Sequence, residues 1–151
     1  KEANKEGIKA VIEQQFAVGN EIIAKGLVPI LEPEVDIHCA KKEEAEAIML
    51  EEIKANVAKL PAGDKIMLKV TIPTKENLYE ELMKDSHVVR IVALSGGYPQ
   101  DEANEKLAKN RGLIASFSRA LAQDLRASQS DAEFDKVLKS AVDGIYKASI
   151  T

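Results

Sequence analysis

The sequence predicts an α/β fold with parallel strands, and three observations carry that expectation. Short apolar runs rich in β-branched residues alternate with longer stretches of helical periodicity along the chain. The connection between each run and the next is long enough to hold a helix, as parallel pairing with right-handed crossovers requires. Turn and cap signals stand at the junctions, at Gly26, at Pro61-Ala62-Gly63-Asp64 and at Ser130 with Glu133.

Taken in order, Ile8, Val11, Ile12, Phe16, Gly19, Ile22 and Ile23 recur at helical spacing, with Gly26 as a stop signal. Residues 27–35 (LVPILEPEV) read as a strand, too short for a helix. From about Lys42 to Leu60 a second helix puts Ala45, Ile48, Met49, Ile53 and Val57 on one face. After the turn, residues 65–72 (KIMLKVTI) form the next strand, and Thr74 can cap a helix carrying Leu78, Leu82 and Met83. Residues 88–94 (VVRIVAL) are a strand closed by the tight loop Ser95-Gly96-Gly97. A helix runs from Pro99 to about Lys109, with acids in its first turn. Residues 113–117 (LIASF) are a short strand leading into Arg119 and a helical stretch. Ser130 and Glu133 then open a last helix through Phe134, Val137, Leu138, Ala141, Val142 and Ile145. Periodicity alone does not separate an open doubly wound sheet from a barrel.

The composition narrows the function. A net charge of −4 gives no general attraction for nucleic acid or anionic membrane, so an anion site must come from a few placed residues. A single cysteine, Cys39, excludes an internal disulfide framework and fits a reducing compartment. No apolar run is long enough to span a bilayer and the opening residues do not read as a signal peptide, so a cytoplasmic protein is expected.

The informative residues are the polar ones that interrupt the strands. Glu32 and Glu34 are two apart and leave the same strand face, above Val28 and Ile30. They read equally as solvated loop acids or as a placed acidic pair needing cationic partners. Met67, Lys69 and Thr71 share one face of their strand, and Ile66, Leu68, Val70 and Ile72 the other. In a barrel the first set faces inward, and burial there favours a neutral amine able to attack a carbonyl. Considered alone, Lys69 reads more simply as a lysine snorkelling at a strand end. Ser95, Gly96 and Gly97 follow a strand directly, as an anion-binding loop or a plain βα turn would. Ser116, Ser118 and Arg119 at the end of the last strand offer hydroxyls and a guanidinium fork, although a surface salt bridge is the usual fate of an arginine. His38, Cys39 and His87 lack metal-ligand spacing and read as loop residues, so no metal cofactor is expected.

In this order and spacing, EPEV, MLKVTIP, ALSGG and ASFSRAL resemble class I fructose-bisphosphate aldolases, and more closely their bacterial branch. The resemblance covers essentially the whole chain. It implies a (β/α)8 barrel, with residues 1–151 as the C-terminal part of that single domain: the last four strand–helix units preceded by one helix. It implies reversible cleavage of fructose 1,6-bisphosphate to dihydroxyacetone phosphate and glyceraldehyde 3-phosphate through a lysine imine, without a metal. By the same resemblance Lys69 is the imine-forming lysine, Glu32 the acid/base glutamate and Glu34 the acid beside it. Ser95 and Gly96, with Gly97 in the same loop, match the phosphate loop; Arg119 matches the phosphate-gripping arginine, near Ser116. Ser118 stands where many relatives have glycine.

The family's first-strand aspartate and fourth-strand lysine have no counterparts here and belong upstream of Lys1, which is not a methionine. Four parallel strands do not close such a barrel, so a partial product needing the N-terminal half is expected. A homo-oligomer stays open. Two other readings are a Schiff-base aldolase for another phosphorylated sugar and a non-catalytic half-barrel assembly or scaffold module.

Overall fold

Helix α1 spans Lys5–Ile23, and its start is fixed where the side chain of Asn4 accepts the Gly7 N–H at 2.7 Å. Gly26, at φ 78°, supplies the left-handed residue that turns the chain back into the sheet. The computed structural model describes residues 2–151; Lys1 of the expected domain lies outside them. The remaining elements are β1 (Ile30–Leu31), α2 (Lys42–Val57), β2 (Ile66–Thr71), a 3-10 turn (Leu82–Lys84), β3 (Val88–Leu94), α3 (Gln100–Leu107), β4 (Ile114–Ala115) and α4 (Asp131–Ser149).

All four strands are parallel and lie in the order β1-β2-β3-β4, so each crossover places a strand beside its predecessor. One face of this sheet is packed. Ile66, Leu68, Val70 and Ile72 are at most 1% exposed and join Leu31, Ile91, Ala93 and Leu113 in a core with Ile12 and Phe16 of α1 and Met49, Ile53 and Val57 of α2. Each of the large side chains contributes about 1.5–3 kcal/mol by leaving water. The other face is less covered: Val28 and Ile30 are about half exposed, while Thr71 and Val92 on it are buried. The two-residue side-chain alternation of a strand sorts the chain between these faces. This α/β arrangement, with sequential parallel strands and its helices in one core with one sheet face, is consistent with half of a (β/α)8 barrel.

The structure corrects several expectations. The strand read over 27–35 pairs only at Ile30 and Leu31, because Pro29 and Pro33 have no N–H to give a ladder. The strand read over 113–117 pairs only at Ile114 and Ala115. Thr74 caps no helix; its hydroxyl accepts from Lys42 and its N–H is held by Glu46. Asn77 then takes φ 59°, and the segment runs as turns into Leu82–Lys84. Turns replace the helical stretch after Arg119, with the Ala122 N–H donating to the Ser118 carbonyl and the Leu125 N–H to the Ala122 carbonyl, each at 3.1 Å. The capping box at Ser130 and Glu133 is present, with both of its reciprocal bonds.

Candidate active site

The site is assembled at the C-terminal ends of the parallel strands. Lys69, two residues before the end of β2, pairs in register with Val92 of β3 and points from the less covered face. Its Nζ donates to Glu32 Oε2 at 2.7 Å, the side chains being 27% and 49% exposed. An ammonium has three donors, and Glu32 takes one. Within these residues one wall of its surroundings is open, and the lysine is ion-paired near the strand end.

Beyond Lys69 lies a recess of about 170 Å³ lined by Glu34, Lys69, Leu94, Ser95, Gly96, Ser116, Ser118 and Arg119. Seven of these eight are residues singled out from the sequence; only the apolar Leu94 is new. Glu32 reaches the group through its bond to Lys69, and Gly97 stands behind the lining with φ 109°. Arg119 makes no salt bridge to any described carboxylate, so the surface-pair reading of this arginine has no partner here.

Gly96 is required at its position for two reasons. Its φ of 65° is left-handed, and a Cβ built on it would come within 2.6 Å of Ile37 Cγ2 and 3.1 Å of Thr71 Cγ2. The loop closes through the Tyr98 N–H, which donates to the Ser95 carbonyl at 3.0 Å. The Tyr98 ring carries the Lys106 ammonium 4.9 Å from its centroid. Burial, then the negative charges of Glu102 and Glu46, push its phenol above the usual range.

Two features behind the site were not read from the sequence. Lys42 and Glu46 form a buried pair in α2, and the Lys42 ammonium also donates to the Ile72 carbonyl at 2.8 Å and to Thr74 Oγ1 at 3.2 Å. Glu46 Oε2 accepts the Thr74 N–H at 2.9 Å, which ties α2 to the loop leaving β2. The i,i+4 spacing was visible, but such pairs usually lie in water. The second feature is Thr71, whose hydroxyl meets the backbone of Val35. Its signal was a polar side chain sharing the Lys69 face.

His38, Cys39 and His87 take no part in the recess; His87 Nδ1 lies 2.8 Å from Asp85 Oδ1. No group of three or more His, Cys, Asp or Glu side chains among the described residues is arranged to hold a metal ion. Among the described residues no helix is long and apolar enough to cross a membrane.

No protein-family model matches the chain. It is 56% identical over all 151 residues to fructose-bisphosphate aldolase class 1 of Clostridium acetobutylicum, covering 51% of that protein. It is 52% identical over 151 residues to fructose-bisphosphate aldolase class 1 of a Synechocystis species, covering 50% of it. The chain thus spans about half the length of the curated relatives it matches.

Proposed function

We propose that this chain, a homologue of about half of a class 1 fructose-bisphosphate aldolase, carries the imine-forming and phosphate-binding part of such an enzyme's active site. One observation supports the reading above the rest. The Lys69 ammonium is held by a single carboxylate and faces a recess lined by an unpaired arginine, three serines and a glycine loop.

In this reading Glu32 takes a proton from Nζ, which frees the lone pair to attack the ketone carbon of a ketose phosphate. A proton returned to the carbinolamine oxygen lets it leave as water and forms the cationic imine. The imine then accepts the electron pair of the breaking C3–C4 bond, leaving an enamine on Lys69 and releasing an aldehyde. Glu34 lines the same recess and helps hold the charge balance around the lysine. Arg119 supplies a planar donor fork to a phosphate, with the Ser95, Ser116 and Ser118 hydroxyls and the Gly96 N–H beside it. The substrate is fructose 1,6-bisphosphate, and the proton at the departing C4 hydroxyl is handled by residues of the other half of the barrel.

The rest of the proposal follows from this one. Residues 1–151 form part of a single TIM-barrel domain in the whole protein, which is cytoplasmic, does not bind nucleic acid and assembles, if at all, with copies of itself. The test is borohydride reduction of the whole protein with dihydroxyacetone phosphate, followed by peptide mapping. A reduced adduct on Lys69 is expected. An adduct on another lysine, or none, overturns the assignment. Turnover of a different phosphorylated sugar in preference to fructose 1,6-bisphosphate would move the substrate while leaving the imine chemistry in place.

A further inference from the structure

Thr71 is 2% exposed and lies two residues beyond Lys69, on the same face of β2. Its Oγ1 accepts the Val35 N–H at 3.1 Å and donates to the Val35 carbonyl at 2.9 Å. Val35 follows Glu34 directly, in the segment that leaves β1. Backbone pairing of β1 with β2 stops at Leu31 opposite Leu68, and Pro33 has no N–H to extend it. The Thr71 hydroxyl therefore does for the 32–35 segment what the ladder no longer does, with one donor and one acceptor side by side. On its other side the Thr71 methyl lies 3.1 Å from the point where a Cβ on Gly96 would stand, so it packs against the glycine loop beside Ser95.

We propose that Thr71 is a positioning residue that fixes both the Glu32/Glu34 segment and the Gly96 loop to the strand carrying Lys69. The inference rests on the aldolase reading for its kinetic consequence, though not for its geometry. The two ends of the side chain have separable tasks. The hydroxyl holds the segment that carries Glu32, which exchanges protons with Lys69, and Glu34, and the methyl sets the floor of the anion loop.

Two substitutions in the whole protein divide them. Thr71→Val keeps the shape and deletes the hydroxyl, leaving the Val35 backbone groups without their partner. It is expected to lower kcat about 10-fold with KM within about 2-fold of the parent, and to alter the acid limb of the pH profile. It should also speed hydrogen exchange at the Val35 amide. Thr71→Ser keeps the hydroxyl and deletes the methyl, so it should retain kcat and Val35 protection while raising KM for the phosphorylated substrate about 3-fold.

A residue serving only the core would lower the melting temperature in both variants with kcat per folded molecule unchanged, and that result overturns the proposal. So does a Thr71→Ser variant that loses kcat while keeping its KM. In the parent, slower exchange at the Val35 amide than at Asp36 is expected, and equal rates overturn the clamp even if Thr71→Val does not fold. A parent protein that forms no adduct at Lys69 overturns the aldolase reading instead, and the exchange rates still decide the clamp.

Discussion

Two lysine–glutamate pairs sit within a few residues of the same strand end and do opposite things. In the Lys42–Glu46 pair the side chains are 7% and 1% exposed, and every donor of the ammonium is used, on Glu46, Ile72 and Thr74. In the Lys69–Glu32 pair they are 27% and 49% exposed, and a single bond to Glu32 joins the lysine to the protein. The first pair repays its desolvation only because its geometry is complete, so it holds α2 and the β2 loop together. The second is bonded only once within these residues, so it leaves a lysine with donors to spare beside a recess. A satisfied lysine is a rivet, whereas an under-satisfied one is available for chemistry.

The comparison breaks most sharply if the two lysines are exchanged for methionine in the whole protein. Lys69→Met should abolish adduct formation and lower turnover on the order of 10⁴-fold, and should shift urea unfolding less than Lys42→Met does, because it removes one bond to Glu32 rather than three. Lys42→Met leaves the Glu46 carboxylate buried without its cation and should cost about 3–5 kcal/mol in the same unfolding assay. Adding Glu46→Leu to Lys42→Met should recover only part of that loss, because the buried charge is gone while the Ile72 carbonyl and the Thr74 N–H stay unpaired. A Lys69→Met variant that unfolds as readily as Lys42→Met would erase the distinction between the pairs.

A smaller effect is expected at the anion side of the recess. Arg119→Met should raise KM about 10- to 100-fold with the Lys69 adduct still formed at saturating substrate, since one charged hydrogen-bond donor is lost from phosphate. Initial-rate kinetics with a phosphorylated substrate and its unphosphorylated counterpart would check it. The difference between the two substrates should shrink in the variant.

The smallest effect concerns Tyr79, which is buried beside the Lys42–Glu46 pair with its hydroxyl unpartnered. Burial first, and the charge of Glu46 second, push this phenol far above its usual value of 10.0. Below about pH 10 the folded and unfolded phenols are both protonated and the stability it contributes is fully present. Above that the unfolded phenol ionises first, so stability is lost as pH rises. Tyr79→Phe should flatten this alkaline decline and change neutral-pH stability by about 1 kcal/mol or less. Thermal melts from pH 8 to 11 would show whether the two curves diverge.

What could be read in advance follows from how far each signal reaches along the chain. The alternation of Met67, Lys69 and Thr71 with Ile66, Leu68, Val70 and Ile72 is local, and the two strand faces separate as that period requires. Helix α4 and its capping box were legible because a cap joins residues three apart. The helix expected after Thr74 was not formed, because Thr74 is engaged by Lys42 and Glu46, about 30 residues away, and no local preference reports that. The residues around the recess were found as four separate strings, and nothing local said that Glu34, Ser95 and Arg119 share one wall with Lys69.

The sequence by itself determined the parallel α/β alternation, the face from which Lys69 emerges, and the residue types able to make an imine and grip a phosphate. Those follow from periodicity, caps and side-chain chemistry, which act within a few residues. Only the tertiary structure decided that Lys69 is bound to Glu32, that Lys42 is buried and fully used, and that Thr71 stitches Val35 to the strand carrying Lys69. The bonds of Lys69 to Glu32, Lys42 to Ile72 and Thr71 to Val35 each join groups about 30 or more residues apart, brought together by sheet order and burial rather than by any neighbour in the chain.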